Sequence, residues 1–533
     1  MSGFTPFYIG VPGGAGELTA DVAGSKAAQL WRVSSLGLNV PPAFVLPTAL
    51  CGPVNRSDPQ ALAALDEGLR EGMAQLENAT GRRFGDSRTP LLVSVRSGAA
   101  QSMPGMLATI LDVGLNAESV RGLIALTGNP RLAWDSYRRF VQSYAETVDQ
   151  ASSAFFEACL SEMIRAEAVP RERDLDPEAL ERLTHAFLAI AARAGGRAIP
   201  TGPLDQLAAA ARAVYRSWDN ERAREYRRLN KLDQLAGTAV TVQAMVFGNA
   251  GARSGAGVAF SRNPASGAKE LYVDFLFDAQ GEDVVAGRRV PENGDLLATR
   301  LPQAAKDLAH GASCLEHEFR DIQDIEFTVE DGRLFFLQTR SAKRTPRAAL
   351  RVLVDFVREG LLDPATALAR AAEIDIDRAH VTRFADNALV IAHATSASPG
   401  VATGRAAFDS ARAKALAATG EPVILVRPDT STEDVAGFAV SAGILTAAGG
   451  RTAHAAVVAR QLGKPCLVGC RALTIRESER SGEIGGRMIE EGQWISLDGD
   501  TGDVTLGRRK IISELPEAEL AEIETWRRWV RPH

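Results

Sequence analysis

The segment GILTAAGGRTAHAAVVARQLGKPCLVG, residues 443–469, puts a histidine where it can do chemistry. Gly443–Thr446 reads as a strand, Gly449-Gly450 as a turn, and the residues from about Thr452 as a helix. His454 then falls in the first helical turn. Unsatisfied N–H groups at a helix start, at the positive end of the helix dipole, can hold a phosphoryl group. The same dipole disfavours imidazolium and biases the ring toward its neutral, nucleophilic form. The glycines let bulky phosphates come close to the backbone. The chemistry indicated is phosphorylation of the ring. Gly-Gly before a helix is common, so spacing alone leaves open a histidine with purely structural partners. His185, His310, His317, His380, His393 and His533 lack metal-ligand spacing and read as structural.

A second constellation is DIQDIEFTVEDGRLFFLQTR, residues 321–340, which reads as two strands joined by the Glu330-Asp331-Gly332 turn. Asp324 and Glu326 are two apart and share a face of the first strand. Gln338 and Arg340 do the same on the second. Folded as a hairpin, these residues bring oxygen ligands and a guanidinium together, as a metal–polyphosphate site needs. A solvated hairpin face fits the same spacing. LLVSVRSGAAQSMPGML, residues 91–107, gives a buried strand ending near Arg96 and then a Gly- and Ser-containing loop able to cover phosphates. Lys26, in AGSKAAQL, opens a helix and could reach a phosphate, although a lone surface lysine reads the same way.

These residues need elements to position them, and the chain is long enough for several domains. At about 150 residues per domain, 533 residues make about three or four. Hydrophobic residues at 45% and charged residues at 24% allow a large core. A net charge of -6 argues against a general nucleic-acid binder but leaves room for local phosphate pockets. Five cysteines, an odd number at low density, suggest a reducing compartment. No secretory signal is visible and the uncharged stretch at residues 234–252 reads as strands and turns rather than a membrane span. The expectation is a cytoplasmic protein with no membrane partner.

Mixed α and β patterns run to about Ser341. Strand-like stretches there are Leu91–Val95, Thr238–Phe247, Gly257–Ser261, Leu271–Phe277 and Arg333–Gln338, with a long helical insertion from about Asp135 to Arg228. A helical connector follows from about Arg344 to Asn387, and its Arg and Glu placement suits a solvated surface. From about Ala388 to Gly507 short strands alternate with one clear helix, which predicts a compact α/β domain. The strands there are Ala402–Phe408, Val423–Arg427, Gly443–Thr446, Cys466–Val468 and Trp494–Leu497. The tail reads as one amphipathic helix.

GGRTAHAAVVARQLGKPCLVG resembles the phosphohistidine segment of the pyruvate, phosphate dikinase family of PEP-utilising enzymes. ASPGVATG (Ala397–Gly404) is similar to the opening of that family's swivelling domain, and EGQWISLDGDTGDV to its closing strands. SVRSGAAQSMPGML, YRSWDNERAREYRRLNK, GTAVTVQAMVFGN, GVAFSRNPASG, AQGEDVVAG and QDIEF…LQTR resemble, in the same order, its ATP-grasp domain. The resemblance implies an α/β multidomain fold. Its parts would be an ATP-grasp domain over 1–341 with the insertion at about 135–228, a helical linker over 342–387, a swivelling phosphohistidine domain over 388–507 and a C-terminal helix over 508–533. It also implies roles. Lys26 and Arg96 would hold ATP phosphates, and Ser102 to Gly105 would form a phosphate lid. Gln243, Met245 and Val246 would line the adenine slot, partly through backbone atoms. Glu282 would contact the ribose. Glu326 and Gln338 would bind Mg2+, Asp324 would support them, and Arg340 would stabilise the transferring charge. Thr452 matches a threonine that plant relatives use for regulatory phosphorylation. Ala100, Ala108, Arg451 and Ala453 depart from residues usual in the family.

The family's third module, a barrel that binds pyruvate, needs about 250 residues. Only 26 residues, 508–533, follow the swivelling domain here, so the expectation is a chain without that barrel. Three functional readings follow. In one, His454 is phosphorylated from ATP, with AMP leaving and phosphate taking up the rest as pyrophosphate. The phosphoryl group then passes to pyruvate on a separate barrel subunit. In another it passes to a different small-molecule hydroxyl. In the third, the chain is a phosphohistidine carrier or regulatory partner. Trp526 and Trp529, three apart on the terminal helix, could dock a partner or a second copy of the chain, or pack on the chain's own surface. The connector is expected to act as the hinge of the swivelling domain.

Overall fold

The computed structural model describes residues 6–11, 17–101, 103, 107–281, 284, 292–429, 434–450, 454–476 and 480–530; for 292–295, 435, 454, 461 and 530 it describes the backbone alone. Helices and sheets mix throughout, and the described residues divide into two compact units. No helix among them is long and apolar enough to cross a membrane.

The first unit holds residues up to Gly251 together with Phe335–Thr339. Its sheet has the order Phe7–Ile9, Ala43–Leu46, Thr238–Ala244, Val93–Ala99, Thr109–Val113, all neighbours antiparallel. The central strand, TAVTVQA, is rich in β-branched residues and buried at every position, as a strand covered on both faces must be. The expected strand Leu91–Val95 is observed as Val93–Ala99. Arg96, Ser97 and Gly98 break the apolar run, but they lie in register with Thr241, Val240 and Ala239. Against the sheet lies the helix Pro59–Thr80, whose start is set by Asp58 accepting from the Gln60 and Ala61 N–H groups and whose end is set by Gly81 at φ 67°. The expected insertion is a set of helices, Pro130–Val148, Ser153–Ala166, Pro177–Gly195, Pro203–Ser217 and Glu221–Leu229. Phe140, Phe156 and Phe187 pack them into the same core as the sheet residues Phe44, Val93 and Val242.

The second unit holds Ala252–Leu334 and the residues from Arg340 on. A sheet of order Glu292–Asn293, Tyr272–Phe277, Gly255–Phe260, Gln323–Glu330, Arg333–Ser341 opens it. The helices Pro346–Arg358 and Pro364–Ala371 follow. Here the structure departs from the expected solvated connector. Leu350, Val352, Leu353, Val354 and Phe356 share a core with Ala256, Val258, Phe260 and Leu276 of the sheet and with Ile523 and Trp526 of the terminal helix Glu517–Val530. Arg262, buried from solvent, fixes the helix Pro346–Arg358: it binds Glu316 at 3.0 Å and Glu359 at 2.7 Å and lies over the Phe356 ring. Trp526 is therefore part of the core, while Trp529 stays 70% exposed.

After the connector, Val381–Phe384 pairs antiparallel with Ile511–Glu514, so the chain enters and leaves the next module side by side. That module is an eight-stranded sheet. Its parallel centre is Val401–Ala407, Val423–Arg427, Gly443–Thr446 and Cys466–Val468. Antiparallel strands flank this centre, including Trp494–Asp498 and Thr395–Ser398. Helix Ser410–Ala417 and the helix starting at His454 bury Ala413, Ala455, Ala456 and Ala459 on one face, with Val423, Leu425 and Ile444 beneath them.

Candidate active site

In the first unit, the helix Ser25–Ser35 carries Lys26 as its second residue. Gly24 before it has φ 79°, and a Cβ there would lie 2.3 Å from the Gly98 carbonyl oxygen. Only glycine permits so close an approach. The Ser25 hydroxyl donates to the Ala99 carbonyl at 3.2 Å. The Lys26 helix thus starts on the end of Val93–Ala99, where the loop toward residue 107 leaves the sheet. Arg96 sits on that strand opposite Thr241, and Ser94 opposite Gln243, so Arg96 and Gln243 share a face. Gln243 is buried and its amide donates to the Pro41 carbonyl at 3.2 Å. Met245 and Val246 are half-buried just beyond the strand, and the Met245 N–H donates to the Leu92 carbonyl.

In the second unit, Asp324 and Arg340 meet: the Arg340 Nε donates to Asp324 Oδ2 at 2.8 Å. Asp324 is buried, and among the described residues its Oδ1 finds no hydrogen-bond partner. Burial pushes its carboxyl above the usual range, with Arg340 pulling the other way. Burial likewise tends to lower Arg340, but the Asp324 and Glu326 carboxylates outweigh it and the guanidinium is held firmly charged. Asp324, Phe260 and Tyr272 are directly opposite one another across three strands, and Glu326, Val258 and Asp274 form the next row on the same face. Glu326 is half-buried.

His454 is the first residue of the helix His454–Leu462, following the parallel strand Gly443–Thr446. Gly449, at φ 94°, turns the chain between them. The loop is held by the Gly469 N–H on the Ala448 carbonyl and the Cys470 N–H on the Thr446 carbonyl. Beyond the helix, Lys464 Nζ donates to the Phe438, Ala439 and Ser441 carbonyls at 2.5–2.8 Å, tying its far end to the neighbouring helix. The placement suits phosphoryl chemistry: a helix N-terminus at the carboxyl end of a parallel strand.

Residues 61–301 and 298–359 match the family model described as pyruvate phosphate dikinase, AMP/ATP-binding domain, and residues 419–502 match that of the PEP-utilising enzyme, mobile domain. The first match covers more than half of the chain. The chain belongs to the pyruvate, phosphate dikinase family. It is 44% identical over 492 residues to pyruvate, phosphate dikinase of Clostridium symbiosum, covering 91% of this chain and 56% of that protein. It is 42% identical over 510 residues to the chloroplastic enzyme of Mesembryanthemum crystallinum (95% and 53%) and 41% identical over 514 residues to pyruvate, phosphate dikinase 2 of Zea mays (96% and 58%). The chain spans a little over half the length of these relatives.

For a dikinase-family chain, the sequence-expected residues fall into three groups. Arg96 and Gln243 lie on the first sheet, Met245 and Val246 follow its strand Thr238–Ala244, and Lys26 is on the helix that starts on the end of Val93–Ala99. Asp324, Glu326 and Arg340 gather on the second sheet, and Gln338 lies on the Arg340 strand, two residues earlier. His454 starts its helix. Ser102, Gly105, Glu282, Arg451, Thr452 and Ala453 lie outside the described residues. Ala100 and Ala108 are half-buried at the two ends of the loop. Two charged residues escaped the sequence reading. Asp274 is the lone carboxylate in the buried strand YVDFLF. Arg460 is buried from solvent on the His454 helix, one turn after the buried Ala456. In each case the signal was a charge set among apolar neighbours.

Proposed function

We propose that the chain is an ATP-dependent dikinase-type phosphotransferase in which His454 is the phosphoryl carrier. The observation that carries this reading is a helix beginning at His454 after a parallel strand, in the same unit as the Asp324–Arg340 pair. A ring nitrogen of His454 attacks the β-phosphorus of ATP. The bond to the α,β-bridging oxygen breaks, and AMP leaves with the electron pair. Inorganic phosphate then attacks the γ-phosphorus, releasing pyrophosphate and leaving one phosphoryl group on His454. The transition state is loose, so positioned positive charge supplies most of the help, and Arg340 is the residue assigned to it. Lys26 and Arg96 hold the phosphates beneath the Ser102–Gly105 lid. Gln243, Met245 and Val246 take the adenine, and Glu282 takes the ribose.

The donor set fits magnesium. Asp324 presents a buried carboxylate oxygen that has no hydrogen-bond partner among the described residues, and Glu326 adds a second carboxylate on the same face. Among the described residues no three acidic, histidine or cysteine side chains gather as a metal cage. An ion held by one or two carboxylates and the substrate's own phosphates is the usual magnesium arrangement. Glu326 and Gln338 would hold it, with Asp324 in support. Bound there, it would neutralise phosphate charge.

The relatives are named for pyruvate, and we infer pyruvate as the final acceptor. Thr452 is assigned as a candidate regulatory phosphorylation site. A cytoplasmic setting accords with five free thiols. The swivelling domain turns about the paired segments Val381–Phe384 and Ile511–Glu514, because the first part of the expected hinge is buried in core. The test is product analysis with labelled ATP, Mg2+ and phosphate. AMP with pyrophosphate supports the reading, and ADP overturns it.

A further inference from the structure

Arg460 lies six residues after His454 on the same helix and is 0% exposed. Its Nη1 donates to the Ala397 carbonyl at 2.9 Å, on the edge strand Thr395–Ser398 of its own domain. Its guanidinium stands 5.3 Å from the centroid of the Phe260 ring, which belongs to the ATP-binding sheet. Phe260 is the middle member of the row Asp324–Phe260–Tyr272. The Tyr272 ring meets Phe260 edge-on at 6.2 Å, and its hydroxyl donates to the Ser396 carbonyl at 2.9 Å. One end of the row touches the swivelling domain through Tyr272. The middle touches it through Arg460, and the other end is Asp324, already bound to Arg340.

We propose that Arg460 is a positioning residue that seats the His454 helix on the nucleotide-binding sheet during phosphorylation, by laying its guanidinium on Phe260 beside Asp324. This rests on the functional reading above. The contact joins two modules that part when the domain swivels: Ala397 and Arg460 travel with His454, whereas Phe260, Tyr272 and Asp324 stay. A flat, weakly hydrated cation suits this role, since it can stack on a ring while its edge keeps a carbonyl. Its charge also faces the buried carboxylates of Asp324 and Asp274. Removing the cation alone would leave those carboxylates less compensated, which opposes docking. Because arginine and histidine share one short helix, an error in seating the first becomes an error in placing the second.

The test compares two phosphoryl donors on the full chain. ATP requires the docked pose, while phosphoramidate, a small donor free in solution, does not. With Arg460→Met we expect single-turnover phosphorylation of His454 by saturating ATP to fall about 10- to 100-fold, as misplacement of a reacting group by about 1 Å does. Nucleotide affinity and the rate with phosphoramidate should stay within about twofold of the parent. An equal loss with both donors would mean that Arg460 merely builds the helix, and an unchanged rate with ATP would mean that it does not seat it. Either result overturns the proposal. Should Arg460→Met fail to fold, Phe260→Leu removes the stacking partner from the other side and is read in the same way. A parent chain labelled by phosphoramidate but not by ATP would instead sink the functional reading.

Discussion

Under the proposed function, replacing His454 by alanine removes the nucleophile from one module and leaves the strands assigned to the nucleotide intact. His454→Ala should therefore abolish acid-labile phosphate incorporation while ATP binding, followed by titration, stays near the parent value. Arg340 answers to a different measurement. It is half-exposed, fixed by one carboxylate and held charged. Losing such a donor of positive charge at a transition state costs about 10²-fold or more. Arg340→Ala should slow the single-turnover rate of incorporation by that factor, and a near-normal rate would remove it from the mechanism. Both residues were nominated from the sequence because each carries a local pattern, glycines before a helix or a two-residue alternation on a strand. Arg460 and Asp274 were not, because their only sign is charge within an apolar stretch, and what they face lies far away in the chain.

Among the elements, the terminal helix changed most between sequence and structure. Its two tryptophans looked alike in spacing, yet Trp526 is buried against Leu350 and Val354 of the connector core and Trp529 is exposed. Glu522 adds an ion pair to Arg358 of the same connector. Truncating a buried tryptophan costs about 3–5 kcal/mol, whereas a surface change stays within about 0.5 kcal/mol. Trp526→Ala should lower the urea midpoint of this unit's transition markedly and Trp529→Ala should leave it in place; equal effects would contradict the burial. The strands at 423–427, 443–446 and 466–468 fell where the sequence placed them, since short apolar runs between turns have few alternatives. The connector's burial was hidden because its apolar face needed partners from residues 256–276 and 520–526, at both ends of the unit.

For the molecule as a whole, the fold decides which of five thiols can react. Burial pushes Cys51 up to about 11 and Cys466 up to about 12, and raises Cys470 as well. A raised thiol stays protonated below its shifted value, so near pH 8 Cys51, Cys466 and Cys470 hold little thiolate, and unlike Cys159, whose thiol burial also raises, they are fully covered. Alkylation of the native protein at pH 8 should reach only Cys159 and Cys314, which are half-exposed, and all five only after denaturation; mass spectrometry of the labelled peptides checks this. Sequence by itself determined the alternation of helix and strand and the family, and it nominated the candidate site residues, because these are carried by neighbours in the chain and by motif spacing. Tertiary structure alone decided which helices are buried and that the chain crosses into the eight-stranded module as a paired ribbon. It also decided that an arginine from the histidine's own helix lies on the ring opposite Asp324. Each of these depends on contact between residues more than a hundred positions apart, where local periodicity carries no information.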